Sequence, residues 1–302
     1  MGQIKIESES LIIIAKEGDI KRILVPSDFS DNAMKAVMYA AEIAKKNGAL
    51  VFLLHVIEPV GINLKQHYTP FYNKYLDEAG NSGLWELDST RNTIASTYPE
   101  IKIETKVVEG AIANSIVEFA EGNQIDLIVM GTKGASGMKE IFMGSVAADT
   151  IGRTKVPVLA IPDEYEMEEP DAILFATDHF EENKELLSKI VELATLFSTT
   201  IHAAVFVNKD KADASDYLYN TRQLNQYMAF LKKEFPGITF KGELLEGEDF
   251  EKTIKKYNDK EEVDIIAMIT YSKSFLDRIV GTSTTTKMAY HSKIPVLALT
   301  TE

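Results

Sequence analysis

The sequence predicts an α/β protein made of two tandem open sheets, each mostly parallel and covered by helices on both faces. Three observations carry that expectation. The chain has 302 residues, about twice the usual length of a domain. Short β-branched runs alternate with longer helical patterns throughout, which favours α/β units over a bundle or a sandwich. The chain also repeats itself. A gapless shift of 138 residues lays Asp126, Ile128 and Met130 on Asp264, Ile266 and Met268, and Pro157-Val158-Leu159-Ala160 on Pro295-Val296-Leu297-Ala298. Nearer the start the shift is 150, with Ile23, Leu24 and Asp28 on Ile173, Leu174 and Asp178.

Taken in order, residues 1–19 form an extension without a counterpart in the second copy, read either as an added strand over Ser10 to Ala15 or as a frayed tail. Residues 20–162 make the first domain, with strands expected near Arg22 to Ser27, Leu50 to Ile57, Ile101 to Val108, Asp126 to Gly131 and Pro157 to Ile161. A helix from about Asp31 to Asn47 carries Ala33, Val37, Ala40, Ala41 and Ala44 on one stripe and stops at Gly48. The change of shift marks a longer excursion in the first copy, about Gly61 to Gly83. Its Tyr68, Phe71, Tyr72 and Tyr75 read as packing for an insertion, with a lid as the alternative. The stretch 163–170 reads as an exposed acidic linker through Asp163, Glu164, Glu166, Glu168 and Glu169, and residues 171–302 form the second domain.

Composition narrows the function. Acidic residues number 46 against 32 basic ones, a net charge of −14, which disfavours nucleic acid and anionic membrane as partners and requires any anionic ligand to be held locally. No apolar run approaches the roughly 18 residues of a membrane span. The apolar run nearest the start, Leu11 to Ala15, follows Glu7 and Glu9, so export is not expected and a cytoplasmic location is. The absence of Cys removes disulfides and thiol chemistry. His55, His67, His179, His202 and His291 lack the spacing of a helical metal pair, so no metal site is expected.

The segment richest in chemistry runs from Asp126 through Gly131, Gly134 and Gly144 to Ser145 and Val146. A buried strand ends at Gly131, a glycine-bearing loop turns, and Gly144-Ser145 opens a helix whose free amides suit phosphate oxygens. The alternative is a surface loop capped by Ser145. A Walker A loop is absent, and the turn after the first strand reads Pro26-Ser27-Asp28-Phe29-Ser30 in place of the dinucleotide fingerprint.

The spacing of Gly131, Gly134, Gly144 and Ser145 resembles the ATP-binding pattern of the universal stress protein family. Arg22 to Ser30 at the first strand, Leu53-Leu54-His55-Val56 at the second and Val156-Pro157-Val158-Leu159 at the last strengthen the likeness. The resemblance implies Rossmann-like sheets of strand order 3-2-1-4-5. In that order Asp28 and Gly131 end adjacent strands at the topological switch point, where open α/β sheets bind ligands. It further implies that Asp28 contacts adenine, with Pro26 and Ser27 of the same turn in the binding set. Val56 meets the base, and Met130, Gly131, Gly134, Gly144, Ser145 and Val146 cradle ribose and phosphates. The implied ligand is ATP, with ADP or AMP as alternatives and Mg held only through phosphates, in a stress-response or regulatory module. Slow nucleotide hydrolysis, adenylyl chemistry and a scaffold with a vestigial site are the competing functions. The last strands are expected to pair as an intrachain pseudo-dimer, with room for a homodimer of whole chains. In the second copy Gly131, Gly134 and Gly144 become Ile269, Ser272 and Thr282 while Ser145 stays as Ser283, so its site is expected to be degenerate.

Overall fold

A computed structural model describes residues 20–59, 69–133, 145–177, 180–270 and 292–301. The strand expected at Ser10 to Ala15, and Tyr68, Gly134, Gly144, Asp178, Ser272, Thr282 and Ser283, lie outside the described residues.

The first half contributes β1 (Arg22–Pro26), α1 (Asp31–Asn47), β2 (Leu50–Ile57), α2 (Thr69–Thr97), β3 (Lys102–Glu109), α3 (Ile112–Gly122), β4 (Leu127–Gly131), α4 (Ser145–Arg153) and β5 (Val158–Ile161). The second contributes β6 (Ala172–Thr177), α5 (Lys184–Phe197), β7 (Thr200–Asn208), α6 (Ala214–Glu234), β8 (Phe240–Gly247), α7 (Phe250–Glu261), β9 (Ile265–Thr270) and β10 (Val296–Thr300). None of the described helices is long and apolar enough to cross a membrane.

Both halves order their strands 3-2-1-4-5, and the two sheets form one continuous ten-stranded sheet, β3-β2-β1-β4-β5-β10-β9-β6-β7-β8. Neighbours are parallel except at the centre, where β5 and β10 run antiparallel with Leu159 opposite Leu297. Hence each half lends its apolar Val-Leu-Ala edge to the other, and no sheet edge is left bare in the middle of the molecule.

The two faces of the sheet are organised differently. On one, α1, α2, α5 and α6 cover a single core that runs through both halves, from Val25, Leu53, Ala40 and Ile43 to Phe175, Ile190 and Leu193. On the other, each half keeps its own cluster, one around Leu54, Ile116, Met130 and Ile151 and one around Leu174, Ile254 and Ile266. Helix α1 fills its expected bounds because both ends are capped. Ser30 accepts from the Ala33 N–H, and Gly48, at φ 73°, returns its N–H to Ala44.

One expectation is made more specific and one is corrected. From Thr69 onward the excursion is the first half of α2, a helix of 29 residues whose counterpart α6 has 21. Within it Tyr72 is buried and donates its hydroxyl to Glu109 Oε1 at 2.5 Å, which fastens the helix to β3, while Tyr75 is exposed. Nor is the linker simply exposed. Its carboxylates Glu164, Glu166, Glu168 and Glu169 face solvent, but Pro162, Tyr165 and Pro170 are buried. The Tyr165 ring lies 6.0 Å from Tyr39 of α1, which in turn lies 6.3 Å from Phe197 of α5. Lys35 donates to the Asp163 carbonyl, Lys46 pairs with Glu169, and Lys293 pairs with Glu164 at 3.2 Å. The acidic stretch is therefore a strap held by lysines from both halves.

Candidate functional site

The turn after β1 is fixed from within. The Ser27 N–H donates to Leu54 O at 2.8 Å, continuing the sheet one residue past Pro26. The Phe29 N–H donates to Ser27 Oγ at 3.2 Å and the Ser30 N–H to Asp28 Oδ1 at 3.1 Å, two short-range bonds typical of Ser and Asp in turns. They hold Phe29 in the left-handed region at φ 65°. Its ring lies 4.4 Å from that of His55 at a tilt of 32°, and the His55 Nδ1 lies 2.9 Å from Ser27 O. Asp28 is exposed on this rigid turn.

Beside it, β4 pairs with β1 in parallel, Ile23 opposite Leu127 and Leu24 opposite Ile128. The chain leaves β1 into α1 on one face, while α4, which begins at Ser145, packs Ala147, Ala148 and Ile151 on the other. The strand ends therefore diverge at the switch point. Met130 is buried in the cluster against which Val56 and Val146 pack, together with Val108 and Ile112, so these three expected site residues share one apolar face. Gly131 ends β4 above them. On the opposite face, Ser27, Phe29, Ser30 and Met34 with Glu86 and Thr90 of α2 line a cavity of about 140 Å³, well below the 300 Å³ or more of ordinary ligand pockets. Among the described residues no cluster of three or more His, Asp or Glu forms a candidate metal centre.

Gly131 has a structural reason of its own. A Cβ there would lie 2.6 Å from Asn32 Oδ1, 2.9 Å from its Cγ and 3.1 Å from its backbone carbonyl carbon. Asn32, in the first turn of α1, is only 3% exposed. Its Nδ2 donates to Ile161 O at 3.0 Å and its Oδ1 accepts from the Lys133 N–H at 2.7 Å, so one amide ties β5 to the chain leaving β4. The Thr132 N–H donates to the same Ile161 O at 3.1 Å. Lys133 then reaches Asp163 Oδ2 at 2.9 Å. Asn32 and Lys133 are the residues that sequence reasoning missed. The available signal for Asn32 was the repeat, which replaces Asn32 by Glu182 and Gly131 by Ile269 together.

In the second half the same region is built otherwise. Ile269 packs its side chain against the shared core. Helix α5 starts at Lys184 under an Asn183 cap, three residues later than α1 when the repeat is aligned. Before it, Phe180 packs edge-on against Tyr227 at 5.6 Å and the Tyr227 hydroxyl donates to Glu181 O at 2.7 Å.

Two five-stranded units of the same strand order, joined edge to edge, with a polar turn and a glycine at the switch point of one of them, define a tandem α/β protein of the open-crevice class. The model described as the universal stress protein family matches residues 19–162 and 170–300, and the chain belongs to that family. The universal stress protein MJ0531 of Methanocaldococcus jannaschii is 36% identical over 153 residues, covering 50% of this chain and 86% of its own. MJ0577 of the same organism is 30% identical over 152 residues, 47% of this chain and 94% of its own. A crystal structure of a universal stress protein from Archaeoglobus fulgidus superposes with a TM-score of 0.71 at 20% identity, covering 92% of this chain and 98% of that one, and shares the fold.

Proposed function

We propose that the first half, residues 20–162, binds an adenine nucleotide and that the second, residues 171–302, is a degenerate partner. The protein then acts as a cytoplasmic regulatory or stress-response module. The observation that carries this reading is the contrast at the switch point. In the first half Asp28 stands exposed on a rigid turn beside Gly131, with Val56, Met130 and Val146 forming an apolar face below and the start of α4 alongside. In the second, Ile269 stands at the position matching Gly131 and Phe180, packed on Tyr227, at the position matching Ser30, while Asp28 is matched by Asp178. In this reading Asp28 accepts from the adenine amino group, the apolar face receives the base, and the N-terminus of α4 with Gly131 meets phosphates, a role that the sequence pattern extends to Gly134 and Gly144. ATP is the ligand favoured, with ADP and AMP as shorter alternatives. A Mg ion would ride on the phosphates, since no protein cage offers itself among the described residues.

Titration calorimetry of the full chain with ATP, ADP, AMP and a cyclic nucleotide tests the reading. A stoichiometry near one per chain is expected, with a stabilisation of roughly 2.7 kcal/mol in thermal unfolding at 100 times the dissociation constant. Two sites per chain would overturn the asymmetry. No shift with any nucleotide would leave a scaffold.

A further inference from the structure

We propose that Lys133 is a phosphate-selecting residue held in reserve by Asp163. The proposal rests on the nucleotide reading above and concerns how that site discriminates among ligands by phosphate charge.

Lys133 follows Gly131 by two residues, and its main chain is fixed while its charge is not. Thr132 donates to Ile161 O at 3.1 Å, and the Lys133 N–H donates to Asn32 Oδ1 at 2.7 Å, Asn32 itself being buried and bonded to Ile161 O. The backbone at the end of β4 is thus pinned from two sides. The ammonium, by contrast, is held by an ion pair to Asp163 Oδ2 at 2.9 Å in which both side chains remain partly exposed, 34% and 39%. A pair of that exposure contributes little net stability and is readily exchanged. The flexible four-carbon stem of lysine lets the charge change partner without moving the backbone.

The need for such a cation is set by the whole molecule. With a net charge of −14 the protein repels polyphosphate at long range, so attraction must be supplied at the site. Asp163 satisfies Lys133 while no phosphate is present, and a triphosphate, with several charges against one, competes for it. Adenosine, lacking phosphate, gains nothing from the exchange. The strap stays anchored when Lys133 leaves, because Lys35 holds the Asp163 main-chain carbonyl and not its carboxylate. The arrangement belongs to one half only. The positions matching Lys133 and Asp163 in the repeat are Tyr271 and Thr301, neither of them charged at neutral pH.

The test is the ratio of ATP to adenosine affinity, measured by calorimetry on the full chain for wild type, Asp163→Asn, Lys133→Met and the double variant. Asp163→Asn is expected to raise the ratio about two- to fivefold, the strength of an exposed ion pair. Lys133→Met should lower it about tenfold, through loss of a charged hydrogen bond. The double variant should match Lys133→Met alone, because the carboxylate acts only through the lysine. A ratio unchanged or lowered by Asp163→Asn, or effects that simply add, would overturn the proposal. If wild type binds both ligands and the ratio is the same in all four proteins, the role of Lys133 falls and the nucleotide site stands. If wild type binds neither, the nucleotide reading fails and this proposal fails with it.

Discussion

The ends of the two halves that face away from the crevice are nearly copies of each other, whereas the crevice ends are not. At the start of β4, Asp126 Oδ2 accepts from the Lys21 and Arg22 N–H groups, each at 2.9 Å. At the start of β9, Asp264 Oδ2 accepts from Asp171 and Ala172 at 2.7 and 3.0 Å. The same carboxylate closes the same two orphan amides at the mouth of the sheet in both copies. At the other end of these strands Gly131 makes room for buried Asn32, while the second half has a half-buried Ile269 packed against the core and an exposed Glu182. The two copies share what a parallel sheet requires of its backbone and differ in the side chains at the crevice ends.

The sharpest way to break this comparison is Gly131→Val. Its Cβ would meet an asparagine side chain and a backbone carbon at 3.1 Å, and only the former can move away. The expected cost is about 2–4 kcal/mol in urea unfolding, accompanied by loss of nucleotide binding. Loss of binding in that variant alone therefore says little about phosphate approach. Adding Asn32→Ala should recover part of the stability, and no recovery would mean that the backbone contact dominates. Next in size is Asn32→Ala itself, which strands the Lys133 N–H and removes one of two donors to Ile161 O. About 1–3 kcal/mol is expected. Its counterpart Glu182→Ala should stay within about 0.5 kcal/mol, as exposed side chains do. Equal costs at the two positions would dissolve the contrast.

For the conserved ends the expectation reverses. Asp126→Ala and Asp264→Ala should cost alike, about 1–2 kcal/mol each, because each leaves two strand-start amides without their acceptor. A difference larger than about 1 kcal/mol between them in chemical denaturation would show that the duplicated geometry is not duplicated energetics.

What was legible in the sequence follows from range. The end of helix α1 was legible because its signal, Gly48, acts on a neighbouring amide. The strands of the first half were legible as β-branched runs, and the pairing of β5 with β10 from the family resemblance together with the repeated Pro-Val-Leu-Ala edge. Asn32 was not, since what buries it is a glycine about a hundred positions away and a carbonyl farther still. The first half of α2 was obscured by Gly80 and Gly83, which are poor helix formers locally. Gly83 is explained only by the fold, because a Cβ there would come within 2.9 Å of the His55 ring. The strap misled in the same way. Its acidic composition describes the carboxylates correctly and says nothing of Tyr165, which is buried against the helices above it.

The smallest expected effect concerns a second exchange between the halves. Phe52 and Phe119 meet edge to face at 5.7 Å in the first, and the matched residues in the second are His202 and Tyr257, whose hydroxyl lies 2.9 Å from His202 Nδ1. His202 is 7% exposed, and burial, then the charge of Lys241, lowers its pKa below the ordinary 6.5, against the opposing pull of Glu243 and Glu261. Those carboxylates are occupied by Lys241 at 3.0 and 2.7 Å, and the lysines beside Glu261 hold its pKa down to about 2, so neither is free to neutralise an imidazolium. Burial also pushes the Tyr257 phenol up to about 12, so the pair stays neutral through the physiological range. A folded-state pKa below the unfolded one means that the unfolded chain takes up the proton first. The stability His202 contributes is then complete above 6.5 and is lost as pH falls from there toward its depressed folded value, by at most about 1.4 kcal/mol per pH unit. The double variant His202→Phe with Tyr257→Phe, which copies the first half, should flatten the difference in melting temperature between about pH 7.5 and 5.5. Installing the reverse pair, Phe52→His with Phe119→Tyr, should steepen it. There the Arg22 guanidinium, 5.0 Å from the centre of the Phe52 ring, would oppose a proton on the new imidazole. An acid slope that survives unchanged in the first variant would assign it to other groups and leave the His202–Tyr257 pair as packing alone.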